Sequence, residues 1–118
     1  MNTRSSQQAK ACDISAKVKS IVWERDHHRC IICADTNAMP NAHVVSRAKG
    51  GQGIEENIVT LCRRCHHEFD NGVDREYYRV KIEAYLKAKY PEWKKERMVY
   101  QNKWTTNGNY YDTTSLKK

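Results

Sequence analysis

Two Cys-x-x-Cys pairs, Cys30/Cys33 and Cys62/Cys65, constrain this chain more than any other feature. A two-residue spacer lets both sulfurs of a pair reach one ion, and two such knuckles complete a tetrahedral shell of four thiolates. The competing use of paired cysteines is a disulfide framework. Against it, the N-terminal residues are polar and carry no apolar stretch of the signal-peptide kind. A cytosolic setting is therefore expected, where disulfides are rare and such pairs serve metal. The expected ion is a structural Zn²⁺, closed by sulfur and without a position left for chemistry. At 118 residues the chain is expected to form one domain with a modest core, which a metal staple would help to hold. The fifth cysteine, Cys12, falls outside the set and is expected to be a free thiol in a mobile arm.

The patterning around the cysteines predicts a mixed helix and strand fold. Residues 1–12 are polar and aperiodic and are expected to form a disordered arm. Asp13 is a candidate N-cap, and Ile14, Val18, Ile21 and Val22 recur at helical spacing, which predicts a helix over 14–26. Residues 40–46 read as a strand, 49–53 as a glycine-rich loop, and 58–61 as a second short strand. A helix is expected from 63 to 71, closed by Gly72 as its C′ residue. Asp74 can cap a further helix over 75–89, and Pro91 suits the first turn of another over 91–103. The core then spans 13–73, a helical extension 74–104, and a flexible tail 105–118. No apolar run approaches membrane-spanning length, so no membrane partner is expected.

The formal net charge of +7 is unevenly spread. Residues 30–73 carry four Lys/Arg against five Asp/Glu, whereas residues 74–118 carry eleven against six. A slightly acidic centre between basic flanks suits a cation in the middle and a polyanion such as DNA held at the sides. A solvated basic surface would give the same numbers, so charge alone does not decide the partner.

Between and after the cysteines lie the residues that carry chemistry. His43 stands in the first predicted strand, Asn57 just before the second, and His66 on the helix that follows Cys65. His66 and Asp70 are spaced i, i+4 and so share one face of that helix, where both can reach one cation. Taken singly, each has an ordinary reading: a packed strand histidine, a surface polar pair. Taken together, with Arg25-Asp26 ahead of the first knuckle, Ala42-His43-Val44-Val45, Gly50-Gly51, Glu56-Asn57-Ile58-Val59 and Leu61-Cys62-Arg63-Arg64-Cys65-His66, the arrangement resembles the HNH endonucleases. The later stretches Tyr85-Leu86-Lys87 and Tyr90-Pro91-Glu92-Trp93 resemble those of small phage and prophage HNH proteins, and the main likeness is to the ββα-metal subgroup stapled by a four-cysteine zinc. It covers roughly residues 21–71.

The resemblance implies an α+β, treble-clef-like ββα-metal core with a structural zinc, flanked by helices at both ends. It implies a metal-dependent endonuclease hydrolysing DNA phosphodiester bonds in a bacterial or phage-infected cytoplasm. His43 is implied as the general base that activates water, Asn57 as the residue that fixes the loop and the base, and His66 with Asp70 as ligands of a catalytic Mg²⁺ or Mn²⁺. Arg47 and Lys49 are the first candidates for phosphate contacts. One position departs from the family pattern: the residue before the base is usually a His or Asp that binds the cation, and here it is Ala42. Asn41, Asp35 or His67 could fill in, and a His or Asp introduced at position 42 would be expected to restore the shell. The same departure supports the rival reading, a zinc-stapled DNA-binding module whose nuclease site is degenerate.

Overall fold

The computed structural model describes residues 6–101. Six regular elements follow in order: helices α1 (Ser6–Cys12) and α2 (Ala16–Arg25), strands β1 (Ala38–His43) and β2 (Ile58–Cys62), and helices α3 (Arg63–Asn71) and α4 (Arg75–Lys89). Single 3₁₀ turns occupy Arg47–Lys49, Glu55–Asn57 and Lys95–Met98. The fold is α+β, with β1 and β2 forming a two-stranded antiparallel sheet. Among the described residues no helix is long and apolar enough to cross a membrane.

The sheet is short but well covered. Every residue of β2 is buried, which explains its unbroken Ile58-Val59-Thr60-Leu61-Cys62 sequence in place of an alternating one. The register pairs Met39 with Leu61 but Ala42 with Val59, so β1 carries one extra residue between these points. Pro40 lies in that interval and has no N–H to give to a ladder, which makes a bulge the natural outcome. Beyond the bulge, Ala42 is fully buried in the core beside Val59, Leu61 and Phe69. Ile82 and Leu86 of α4 close the same core from the other side.

A charged hub ties the elements together. Asp26 has a fully buried side chain, and Arg25 grips it in a bidentate pair at 2.7 and 3.0 Å. Arg25 also donates to the carbonyls of Glu55 (2.8 Å) and Ile58 (2.7 Å), while Asp26 accepts from Thr60 N (2.9 Å) and Tyr85 Oη (2.6 Å). One dipeptide thus joins α2 to the start of β2 and to α4. Removing the guanidinium would strand a buried carboxylate, and such a break costs about 3–5 kcal/mol. Arg25→Ala is expected to lose stability on that scale in urea unfolding, with a midpoint shift far larger than that of an exposed control such as Arg29→Ala.

Several local expectations are corrected by tertiary packing. The first twelve residues were expected to be unstructured, yet residues 6–12 form α1 and Cys12 is fully buried rather than carried on a mobile arm. The cap of α2 is Ser15, whose Oγ accepts from Val18 N at 3.1 Å; Asp13 instead pairs with Arg47. Asp74 makes no side-chain cap bond to α4. Gly72 ends α3 at φ −81°, not in the left-handed region, and is needed because a Cβ there would lie 2.2 Å from Glu68 Oε1 and 2.7 Å from Glu68 O. The α-helix expected from 91 does not form over residues 91–101. Trp93 is drawn to the Glu56 carbonyl (2.7 Å), and the chain then runs alongside the glycine loop, with Gln52 N on Met98 O and Tyr100 N on Gly50 O. The remainder of that expected helix, residues 1–5 of the arm and the tail 105–118 lie outside the described residues.

Candidate functional site

The four cysteines converge. Their sulfurs all lie within 4.8 Å of one another, and Cys33 and Cys62 stand 3.6 Å apart. Sulfurs bound to one ion at about 2.3 Å in a tetrahedron would stand roughly 3.8 Å apart. No disulfide joins the cysteines. The first pair sits in the loop after α2, where Cys30 N donates to Asp35 O and Ile31 N to Thr60 O, so that loop is laid against β2. The second pair spans the junction of β2 and α3, where Cys62 Sγ accepts from Cys65 N at 3.4 Å. Burial and the neighbouring cysteines push the Cys65 thiol up. A cation would reverse that balance, because it is what makes four adjacent thiolates tenable. The donor set, geometry and junction therefore fit a tetrahedral metal centre.

A second cluster lies away from the sulfurs. His43 at the end of β1, and His66 and Asp70 on α3, line one cavity of about 840 Å³. His66 Nε2 and Asp70 Oδ2 are 3.3 Å apart, as their i, i+4 spacing on a helix dictates, and both are part-exposed. Asn41 lines the same cavity, two residues before His43 on the same side of the strand, while Ala42 points into the core. That corrects the expectation for position 42: a carboxylate there would be buried among apolar side chains, not offered to the cavity. Of the other two substitutes for Ala42, neither lines the cavity: Asp35 caps its own turn through Asn37 N (2.9 Å) and His67 is exposed on α3. Among the described residues the four cysteines are the one set of three or more His, Cys, Asp or Glu side chains placed to share an ion.

His43 is half-buried, and burial pushes its imidazole below the ordinary value of 6.5. The charges of Arg47 and His66 act in the same direction, and the carbonyl of Cys12, bonded to Nε2 at 2.8 Å, works against them. The ring is thereby kept neutral at neutral pH. Asn57 does not touch it. Its Oδ1 accepts from Val45 N (2.8 Å), and its Nδ2 donates to Val45 O (3.1 Å) and Gln52 O (2.8 Å). Fully buried, Asn57 pins both ends of the glycine loop and fixes the backbone that follows His43. Arg47 and Lys49 both line the cavity, but Arg47 is engaged, donating to Cys12 O (2.8 Å) and pairing with Asp13 (2.9 Å).

Two contributors to the site were not placed there from the sequence, which pointed to the basic side chains of residues 74–103 only as non-specific phosphate contacts. The far wall of the cavity comes from α4 and the turn beyond it: Arg75, Glu76, Arg79, Glu83 and Lys95. Glu83, itself buried, holds Arg79 at 3.0 Å and Lys95 at 3.5 Å, and Arg79 is also paired with Glu76. The i, i+4 series Arg75, Arg79, Glu83 was a readable signal for a charged helix face. The carbonyl of Cys12 left no signal, because a backbone acceptor belongs to no residue type.

Comparisons with known proteins match the segment that carries the four cysteines, His43, His66 and Asp70. The chain is similar to Anaredoxin of Nostoc sp. (strain PCC 7120 / SAG 25.82 / UTEX 2576), at 28% identity over 57 residues, which cover 48% of this chain and 75% of that protein. No solved structure matches it. It is residues 30–81, from the first cysteine into α4, that match the HNH endonuclease family.

Proposed function

We propose that the protein is a metal-dependent endonuclease that hydrolyses DNA phosphodiester bonds in the cavity between β1, α3 and α4. The observation that carries the reading is the opening of a neutral, half-buried histidine from β1 and a His/Asp pair from α3 onto one cavity rimmed by basic side chains. His43 takes a proton from water, and the hydroxide so formed attacks phosphorus in line with the leaving 3′ oxygen. Lys49 contacts the phosphate, while Arg47 stays bonded to Cys12 O and Asp13. Arg75 and Lys95 hold the neighbouring backbone from the opposite wall. His66 and Asp70 would hold a Mg²⁺ or Mn²⁺, with the Asn41 amide oxygen as the third protein donor. When bound, that cation supplies Lewis-acid stabilisation of the charge that develops on the phosphate and leaving oxygens. The four-cysteine site holds Zn²⁺ and serves only the fold, since a closed sulfur shell leaves no position for water or substrate.

One observation favours a second reading. With Ala42 in the core, no third imidazole or carboxylate among the described residues joins His66 and Asp70, as a DNA-binding module with a degenerate site would have it. Incubation of the zinc-loaded protein with supercoiled plasmid separates the two. The nuclease gives nicked or linear DNA with Mg²⁺ or Mn²⁺, and none when EDTA is present in amounts that spare the sulfur-bound zinc. Plasmid that is bound and shifted but uncut with every divalent cation overturns the nuclease reading in favour of the binder.

A further inference from the structure

We infer that the junction between α1 and α2 is the positioning element of the base: the backbone carbonyl of Cys12 holds the Nε2–H of His43 and leaves Nδ1 as the ring's free lone pair. The inference rests on reading His43 as the base. A carbonyl oxygen only accepts, so at 2.8 Å from it Nε2 carries the proton. In the neutral ring Nδ1 is then bare, and no group among the described residues bonds it.

The carbonyl is itself held in place from two sides. Arg47 Nη1 donates to it at 2.8 Å, and the same guanidinium pairs with Asp13 through Nη2 at 2.9 Å. From the glycine loop, Gly53 N donates to Ala11 O at 2.8 Å. Gly53 permits the two backbones to touch, for a Cβ there would lie 2.0 Å from Asp13 O and 3.0 Å from Cys12 O. The buried Cys12 side chain anchors the same residue to the body of the protein. Asn57 cannot do this work, since its amide is committed to Val45 and Gln52. Residues 11–13 also lie outside the segment 30–81 that matches the family, so this chain supplies the holder of its base from its own N-terminal part.

The test uses the full-length, zinc-loaded protein. Long-range ¹H–¹⁵N correlation of the His43 ring at neutral pH is expected to find Nε2 protonated and Nδ1 bare. Gly53→Ala, which forces residues 11–13 away, is expected to mix the two tautomers and lower kcat by roughly 10- to 100-fold with KM for DNA unchanged. A wild-type ring protonated on Nδ1 overturns the inference, and this spectrum needs no variant, so it decides even where Gly53→Ala fails to fold. A folded Gly53→Ala protein that mixes its tautomers and cuts at the wild-type rate overturns it too, as does one that cuts faster, which would make the junction an occluding strap. If His43 is not the base at all, His43→Ala cuts like wild type whatever the tautomer, and that failure is read separately.

Discussion

Stripping the ion from the four-cysteine site will unfold the protein. Binding of a structural Zn²⁺ to such a shell is worth about 10–16 kcal/mol near neutral pH. Whole domains are stable by only about 5–15 kcal/mol, and a core this small sits low in that range. An ion there would tie the loop after α2 to the junction of β2 and α3, which the bonds of Ile31 N to Thr60 O and of Thr60 N to Asp26 secure at one point of the strand only. Without it, adjacent thiols repel as thiolates or remain as protonated, poorly packed donors. Far-ultraviolet circular dichroism during titration with a strong chelator is expected to lose helix in step with zinc release, and Cys65→Ser is expected to yield little folded protein. Retention of the native spectrum at zero bound zinc would mean that the Arg25–Asp26 hub and apolar core suffice alone.

The legible part of this fold was local and periodic. The paired cysteines, the wholly buried β2 and the 75–89 helix announce themselves through spacing, because each element's sequence is dictated by what it buries or binds. His66 and Asp70 could be paired in advance from their i, i+4 spacing, and His43 was joined to them by the resemblance to the HNH endonucleases. What stayed hidden was set by contacts between distant segments. The register shift in β1 around Pro40, between Met39 and Ala42, is visible only once the two strands are paired. A polar stretch such as residues 6–12 looks unstructured until Gly53 and Arg47 are seen to seize its end. The helix expected from Pro91 loses to the pull of Glu56 O on Trp93 and of the glycine loop on Met98 to Tyr100, and neither partner is near in sequence.

Replacing His43 by alanine should remove nearly all cleavage and leave the rest of the protein alone. A positioned general base contributes about 10²- to 10⁴-fold, and the loss should fall on kcat, because the proton is taken only in the transition state. DNA affinity should hold, since Lys49, Arg75 and Lys95 are untouched. The wild-type enzyme should also keep its rate as pH falls through 6.5 and lose it only below, because burial depresses the His43 pKa and the neutral ring is the active form. The sign for stability is the same. A histidine depressed on folding contributes stability that is present above its unfolded value and lost as pH falls through its folded one. An acid limb at or above 6.5 would assign the titration to a different group.

The measurement that bears most directly on the account is the single-turnover cleavage rate of wild type and His43→Ala, on the same DNA, with zinc content and DNA affinity determined on the same samples. The expected result is equal zinc, equal affinity and a rate lower by at least about 10²-fold in the variant. Equal rates at equal zinc and affinity would contradict it and would leave His43 as a strand residue bonded to a carbonyl.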